Sequence, residues 1–200
     1  MPRYAPVWLD RFPKARRPAH PRLRGELDTD VVVVGGGLTG CACAASFAAA
    51  GIDVIVLEAD RLGAASTAAS TGLVREDFDA SFADTASAHG LRAARTLWQG
   101  MRRASLDLAA AIKRANIRCD LVPEDLLHVA PRDGDAVRRL RREYDARRAA
   151  GFDHTWMTAT ALAREAALEG GGAIRTRGFA IEHADDEWRW HVPVSAVEVE

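Results

Sequence analysis

A chain of 200 residues with 48% apolar content is large enough for one packed domain or two small ones. Its 27 basic and 28 acidic residues leave a net charge of −1, so no overall field draws it to nucleic acid or anionic lipid. Three irregularly spaced cysteines, Cys41, Cys43 and Cys119, argue against a disulfide framework and for a reducing, cytoplasmic setting.

Residues 1–27 read as an N-terminal arm rich in Pro and Arg. Five of the eight prolines and seven Lys/Arg fall between Met1 and Gly25, and no apolar run of a secretory signal is present. The prolines also oppose the amphipathic helix of a transit peptide. An extended arm over the domain surface is expected, with Trp8, Leu9 and Phe12 as anchors.

From Val31 to Ile52 there is no charged side chain. The length suits a membrane span, which needs about 20 apolar residues, but the order of residues does not. Four β-branched valines favour a strand, three glycines break it, and only then does an alanine-rich run begin. The ends carry Asp30 and Asp53 rather than basic clusters. We therefore expect no membrane span. A strand at 30–34, a helix at 38–50 ended by Gly51, and a strand at 52–58 are expected instead. Both strands are nearly continuous apolar runs, as parallel strands covered on both faces should be. Together they predict a right-handed βαβ unit.

The following segment, "DRLGAASTAASTGLVR" (60–75), has loop composition with many alanines. Apolar or small residues at spacings of three and four (Leu91, Ala94, Trp98, Met101, Ser105, Leu108, Ile112, Ala115) predict one helix over about 82–115. Its arginines are read as a solvated face. "CDLVPEDLLHVAP" (119–131) predicts two short strands about a Pro-Glu-Asp turn. Residues 133–151 predict a helix with Val137, Leu140 and Tyr144 inward. Residues 158–168 predict another helix, and 170–182 a glycine turn followed by a strand.

Gly35, Gly37 and Gly40 make G-x-G-x-x-G after a strand and at the start of a helix, the context that gives this pattern weight. Gly35 permits the tight turn, Gly37 lets a pyrophosphate approach the backbone, and Gly40 allows close helix–strand packing. The pyrophosphate would sit on free N–H groups at the positive end of the helix dipole, beside Leu38 and Thr39. Glu58 ends the second strand, where a carboxylate can accept hydrogen bonds from ribose hydroxyls and repel a 2′-phosphate. The βαβ unit alone fits NAD and FAD equally. The hydroxyl-rich segment after Glu58 favours the longer cofactor: small residues permit a second close backbone approach, and Ser/Thr hydroxyls can bond phosphate or ribityl oxygens. Cys41 stands where a helix N-terminus lowers a thiol pKa; we read it as a small packing residue rather than a redox group.

"DVVVVGGGLTG", "VLEADRLG" and "ASTAASTGLV" together resemble the FAD-dependent oxidoreductases of the D-amino-acid-oxidase type, which include glycine, sarcosine and amino-acid oxidases or dehydrogenases. The specific motifs all precede Glu76, and the resemblance extends in general layout to "AIRTRGFAI". It implies that Gly35, Gly37 and Gly40, with Leu38 and Thr39, contact the FAD pyrophosphate. It implies that Glu58 and Ala59 meet the adenosine ribose and that Arg61 lies near the ADP half. Ser66, Thr67, Ser70, Thr71 and Gly72 fall on a second FAD-contact loop. No histidine lies between Asp60 and Arg75, so noncovalent FAD is implied.

The fold class expected is α/β: a Rossmann-like βαβ FAD-binding unit, then a long helix and an incomplete α+β substrate region. The expected divisions are the arm (1–27), the FAD-binding part (28–118), partial substrate-domain elements (119–182) and a divergent tail (183–200). In the family the strand like "RTRGFAI" leads to a further helix and a third strand of the FAD sheet. "EHADDEWRWHVPVSAVEVE" does not resemble that continuation, so a divergent tail from truncation or a shifted reading frame is expected, without the third strand. Its histidines and acids match no zinc or calcium spacing, and no metal is expected.

By resemblance the reaction is oxidation of a C–N bond in an amine or amino acid by hydride transfer to flavin. No catalytic residue can be named, and the fragment is expected to be inactive alone and to self-associate through uncovered apolar surface. The alternatives are a non-catalytic nucleotide-binding module and an NAD-dependent dehydrogenase.

Overall fold

The computed structural model describes residues 6–11, 17, 19–78, 80–117, 119–182 and 195–198. The chain divides into two compact units. The first comprises residues 1–71, 115–119 and 183–200, and the second 72–114 and 120–182.

The first unit holds a short helix α1 (Val7–Arg11), strand β1 (Val31–Val34), helix α2 (Leu38–Ala49), strand β2 (Val54–Glu58) and strand β7 (Ser195–Glu198). The sheet order is β1-β2-β7, all parallel, with Val31 opposite Val54 and Ile55 opposite Ser195. The expected strand–helix–strand reading thus stands. The third strand expected to be missing does not stay missing: residues 195–198 supply it along β2. So short a strand carries too little periodicity to be seen in sequence; backbone pairing to β2 is what orders it. Ala44, Val54 and Val56 form the core, with Val31, Val33, Ala48 and Leu62 packed around them. β1 departs from the expected two-sided burial, since Val32 and Val34 are 53% and 84% exposed. Its neighbours in sequence cover only the face of Val31 and Val33.

The second unit is an antiparallel sheet with helices. Strand β6 (Gly172–Glu182) is its spine and pairs along its whole length with β4 (Asp120–Ala130). Its other edge is shared by β5 (Thr155–Thr158), opposite residues 172–175, and β3 (Leu73–Arg75), opposite 178–180. β4 is a single long strand, not two strands about a turn. Pro123 sits inside it, opposite Phe179. Proline lacks an N–H but is tolerated because β4 is an edge strand.

The long helix expected over 82–115 is two: α3 (Phe82–His89) and α4 (Leu91–Arg114), broken at Gly90 with φ +84°. A positive φ is what a glycine permits and a helix cannot use. Both helices fall in the second unit together with the antiparallel sheet, whereas the expected FAD-binding part ran from 28 to 118. Phe82, Ala94, Trp98 and Phe152 form their core with Phe78 packed against it, and T-shaped ring pairs stand at 5.3–5.6 Å. Helix α5 (Gly134–Ala149) is capped by Asp133, whose carboxylate accepts the N–H groups of Asp135 and Ala136. Helix α6 (Ala159–Ala166) is capped by Thr158 and packs Leu162 on Met157 and Ala173.

Of the tail, only residues 195–198 are described; the acid- and histidine-rich stretch 183–191 and the expected anchor Phe12 lie outside the described residues. Among the described residues no helix is long and apolar enough to cross a membrane. Nor do they hold a group of three or more His, Cys, Asp and Glu arranged for a metal ion.

Candidate dinucleotide site

The three glycines after β1 turn the chain into α2. Gly35 has φ +103° and donates its N–H to the Leu57 carbonyl at 2.8 Å, so the turn starts where β1 leaves β2. Open space lies where a Gly35 Cβ would point. Gly37 is the N-cap of α2 in extended conformation. At Gly40 a Cβ would stand 1.9 Å from the Gly35 carbonyl oxygen, so only glycine lets the helix seat against the turn. The first intrahelical bond is from Cys41 N–H to Gly37 C=O at 2.9 Å. The N–H groups of Leu38, Thr39 and Gly40 therefore have no carbonyl within the helix.

Gly37 has no side chain with which to cap, and Thr67 supplies the cap from the second loop: Leu38 N–H donates to Thr67 Oγ1 at 3.0 Å. That loop is a run of tight turns, with Ala64 N–H bonded to Arg61 C=O, Ala68 to Ala65, Ala69 to Ser66 and Ser70 to Thr67. Gly63 N–H reaches back to Gly36 C=O at 2.9 Å. The first and second motifs are thus one structure.

Glu58 ends β2 with its carboxylate on the same turn. Oε2 accepts Gly36 N–H at 2.7 Å and Oε1 accepts Asp60 N–H at 3.0 Å. The backbone N–H groups of Asp60 and Gly36, with a further one from Ala59, hold its pKa below the usual carboxylate value against an upward push from burial. The acid is ionised and aimed at the turn.

The structure therefore brings together Gly35, Gly37, Leu38, Gly40, Glu58, Ala59 and Thr67, with Thr39 in the same first turn of α2. Ser66, Ser70 and Thr71 lie exposed along or beyond the second loop, and Gly72, with φ +74°, starts the second unit. The Arg61 guanidinium pairs with the Asp60 carboxylate at 3.6 Å. Sequence reasoning missed Gly36, Leu62 and Gly63. A Cβ on Gly36 would lie 2.2 Å from Leu62 Cδ2 and 3.2 Å from Glu58 Oε2, so a side chain there would have to displace Leu62 and crowd Glu58. The run of three glycines was the available signal. Burial first, then the nearby Glu58 charge, push the Cys41 thiol pKa up against the pull of the helix terminus, in keeping with a packing residue rather than a redox group. It packs near Gly36 C=O at 3.5 Å.

The second unit holds a charged network that the sequence did not reveal. Asp77, just past β3, is buried and meets His128 Nε2 at 2.7 Å, Arg147 at 3.0 Å and Arg75 Nε at 3.1 Å. Burial pushes the Asp77 pKa up, but His128 and Arg147 outweigh it and hold the carboxylate well below the usual range. Glu143 on α5 accepts Arg147 Nε at 2.5 Å and caps α3 from outside, taking Ser81 Oγ–H at 2.6 Å and the N–H groups of Phe82 and Ala83. Burial opposes its ionisation, and these donors together lower its pKa.

A family model described as FAD dependent oxidoreductase matches residues 30–186. Gamma-glutamylputrescine oxidoreductase of Escherichia coli (strain K12) is 30% identical over 172 residues, covering 82% of this chain and 40% of that protein. Among solved structures, glycine oxidase from Geobacillus kaustophilus matches with a TM-score of 0.58 at 24% identity, over 76% of this chain and 40% of that one. L-amino acid deaminase from Proteus vulgaris matches with a TM-score of 0.61 at 17% identity, over 88% and 41%. The two solved structures bear on the fold alone, and the chain spans about 40% of the length of each of these relatives.

Proposed function

The chain belongs to the FAD dependent oxidoreductase family, and from that premise we propose that it forms the ADP-binding part of an enzyme oxidising the C–N bond of an amine or amino acid. The family's cofactor is FAD. One observation carries the reading: Glu58, the glycine turn and Thr67 converge on the N-terminus of α2. The residues fit the cofactor. Orphan N–H groups stand at the helix start, space is open above Gly35, and an ionised carboxylate lies beside the turn.

In this reading Thr39 and Gly40 donate backbone N–H groups to the pyrophosphate, reinforced by the helix dipole. Thr67 holds the second loop against Leu38 so that both backbone segments face the phosphates. Glu58 accepts the ribose hydroxyls while Gly36 and Asp60 keep it ionised and fixed. Bound flavin supplies the acceptor for a hydride from a C–H beside nitrogen. Ser66, Ser70, Thr71 and Arg61 belong to the outer wall of the same cradle. The relatives named above support an amine or amino-acid substrate class, and the described residues offer no group that we assign to acid, base or substrate-carboxylate duty.

The test is absorbance of the purified chain and titration with FAD, followed by peroxide release or dye reduction with a panel of amino acids and N-methylated amines. Flavin binding without turnover is expected for this chain by itself, since catalysis needs substrate held in near-attack geometry. Binding of NAD in preference to FAD would overturn the cofactor assignment, and brisk turnover would show that these residues complete a catalytic site.

A further inference from the structure

Helix α1 meets the second loop of the candidate dinucleotide site through a hydrogen bond from Trp8. Helix α1 starts just after Pro6, whose carbonyl accepts the N–H groups of Leu9 and Asp10 at 3.0 and 2.9 Å. Arg17 donates to the Leu9 carbonyl in the middle of this helix at 2.5 Å. From this helix the Trp8 indole Nε1–H donates to the Ser70 carbonyl at 2.7 Å, a contact between segments far apart in sequence. Ser70 N–H in turn donates to the Thr67 carbonyl at 3.2 Å, and Thr67 Oγ1 accepts Leu38 N–H. Three hydrogen bonds thus run in series from the Trp8 ring to the first residue of α2.

We propose that Trp8 is a positioning residue for the cofactor cradle: its indole pins the last turn of the second loop, and so holds Thr67 at the start of α2. The proposal rests on the reading of this turn as the FAD site. Its physical basis is the composition of the loop. Residues 63–70 are all Gly, Ala, Ser or Thr, and among them only Ala68 is buried. The loop's tight turns have little apolar anchorage beneath them, and short turns with few buried contacts open at low cost. An indole offers a large half-buried ring and a single donor that finds one carbonyl. The strap therefore contributes what the loop lacks: a fixed last turn before the chain enters β3.

The decisive variant is Trp8→Phe, which keeps an aromatic ring and removes the donor. Two readouts are taken on the full chain. In the absence of ligand, hydrogen exchange of peptides covering 61–71 should quicken several-fold, while peptides covering 54–58 stay as in the parent. With ligand, FAD affinity should fall about three- to tenfold, in line with loss of one neutral hydrogen bond. AMP, which reaches the Glu58 side but not the outer loop, should bind as in the parent. A general loss of structure would weaken AMP as much as FAD and quicken exchange everywhere, and that outcome would overturn the positioning role. Unchanged exchange in 61–71 with unchanged FAD affinity would also overturn it. If the parent binds no FAD, the cofactor reading fails, and the exchange comparison still decides whether Trp8 fixes the loop.

Discussion

Glu58→Gln separates charge from shape at the centre of the site. The parent carboxylate accepts two backbone N–H groups through different oxygens, Gly36 at 2.7 Å and Asp60 at 3.0 Å. A glutamine has one acceptor oxygen, so its NH2 group must face one of these donors. If the oxygen stays with Gly36, Asp60 N–H loses its partner to water. A hydrogen bond to a charged group is worth about 1.5–3 kcal/mol and a neutral one about 1 kcal/mol. With the carboxylate near the surface, the ribose interaction should weaken by about 1–2 kcal/mol, or roughly five- to thirtyfold in FAD affinity. The variant should also lose discrimination against ligands bearing a 2′-phosphate, because the repelling charge is gone. The measurement is FAD titration by flavin fluorescence, paired with competition by 2′-phosphorylated adenosine nucleotides. The pH profile adds a sign. The folded pKa of Glu58 lies below its ordinary value, so its contribution is in full force above about pH 5 and is lost as pH falls through the depressed value. Parent affinity should therefore be flat from about pH 5 to 8 and decline only in more acid solution, and the variant should lack that decline. Equal affinities for both ligands in parent and variant would refute the ribose role.

Gly40→Ala should displace α2 from the turn, because its Cβ would meet the Gly35 carbonyl at 1.9 Å. The overpacking cost of about 1–3 kcal/mol outweighs the helix-propensity gain of about 1 kcal/mol. FAD affinity should fall at least tenfold by titration, whereas Gly100→Ala, with nothing within 4 Å of its Cβ, should raise the melting temperature; parent-like binding by Gly40→Ala would show that the helix seats otherwise. Arg147→Leu should destabilise the second unit by about 3–5 kcal/mol, since it leaves Asp77 and Glu143 buried with one cation fewer. Both acids have depressed folded pKa values, so the network's stabilisation is present above the ordinary carboxylate range and lost as pH falls. Denaturant melts should show the gap between parent and variant narrowing toward acid pH, and a gap under about 1 kcal/mol at pH 7 would mean the network is not what holds α3 to α5.

The βαβ unit was legible because its residues act locally. Val31–Val34, the glycines and Glu58 each carry a backbone preference or a chemistry that neighbours in sequence express. What stayed hidden depends on distant partners. Nothing in "VPEDLL" distinguishes a turn from a strand until β6 lies alongside to pair it through Pro123. Glu143 and Arg147 are two more charges on an arginine-rich helix in sequence, and it is the start of α3 and Asp77, both remote in sequence, that make them interior. The same holds in the site. Gly35, Gly37, Gly40 and Glu58 are recognisable by spacing, but the capping role of Thr67 exists only because Gly37 has no side chain and the loop folds back. The helix periodicity from Leu91 onward was real, but its spacing does not reach back past Gly90, where a separate helix ends.

The parallel pairing of β2 with β7 makes the first unit a discontinuous fold. Ile55 meets Ser195, and most of the chain between them belongs to the second unit. On a ribosome the βαβ segment emerges early with one sheet edge open, and that edge stays open until the inserted unit has been made. Closing so long a loop costs little more at equilibrium than closing one half its length, about 0.6 kcal/mol. The kinetic burden is larger, because non-local strand pairing forms late and leaves an unpaired edge available to other chains in the meantime. Strand β7 is the last described element in chain order, so the pairing that completes the parallel sheet waits on the synthesis of everything before it.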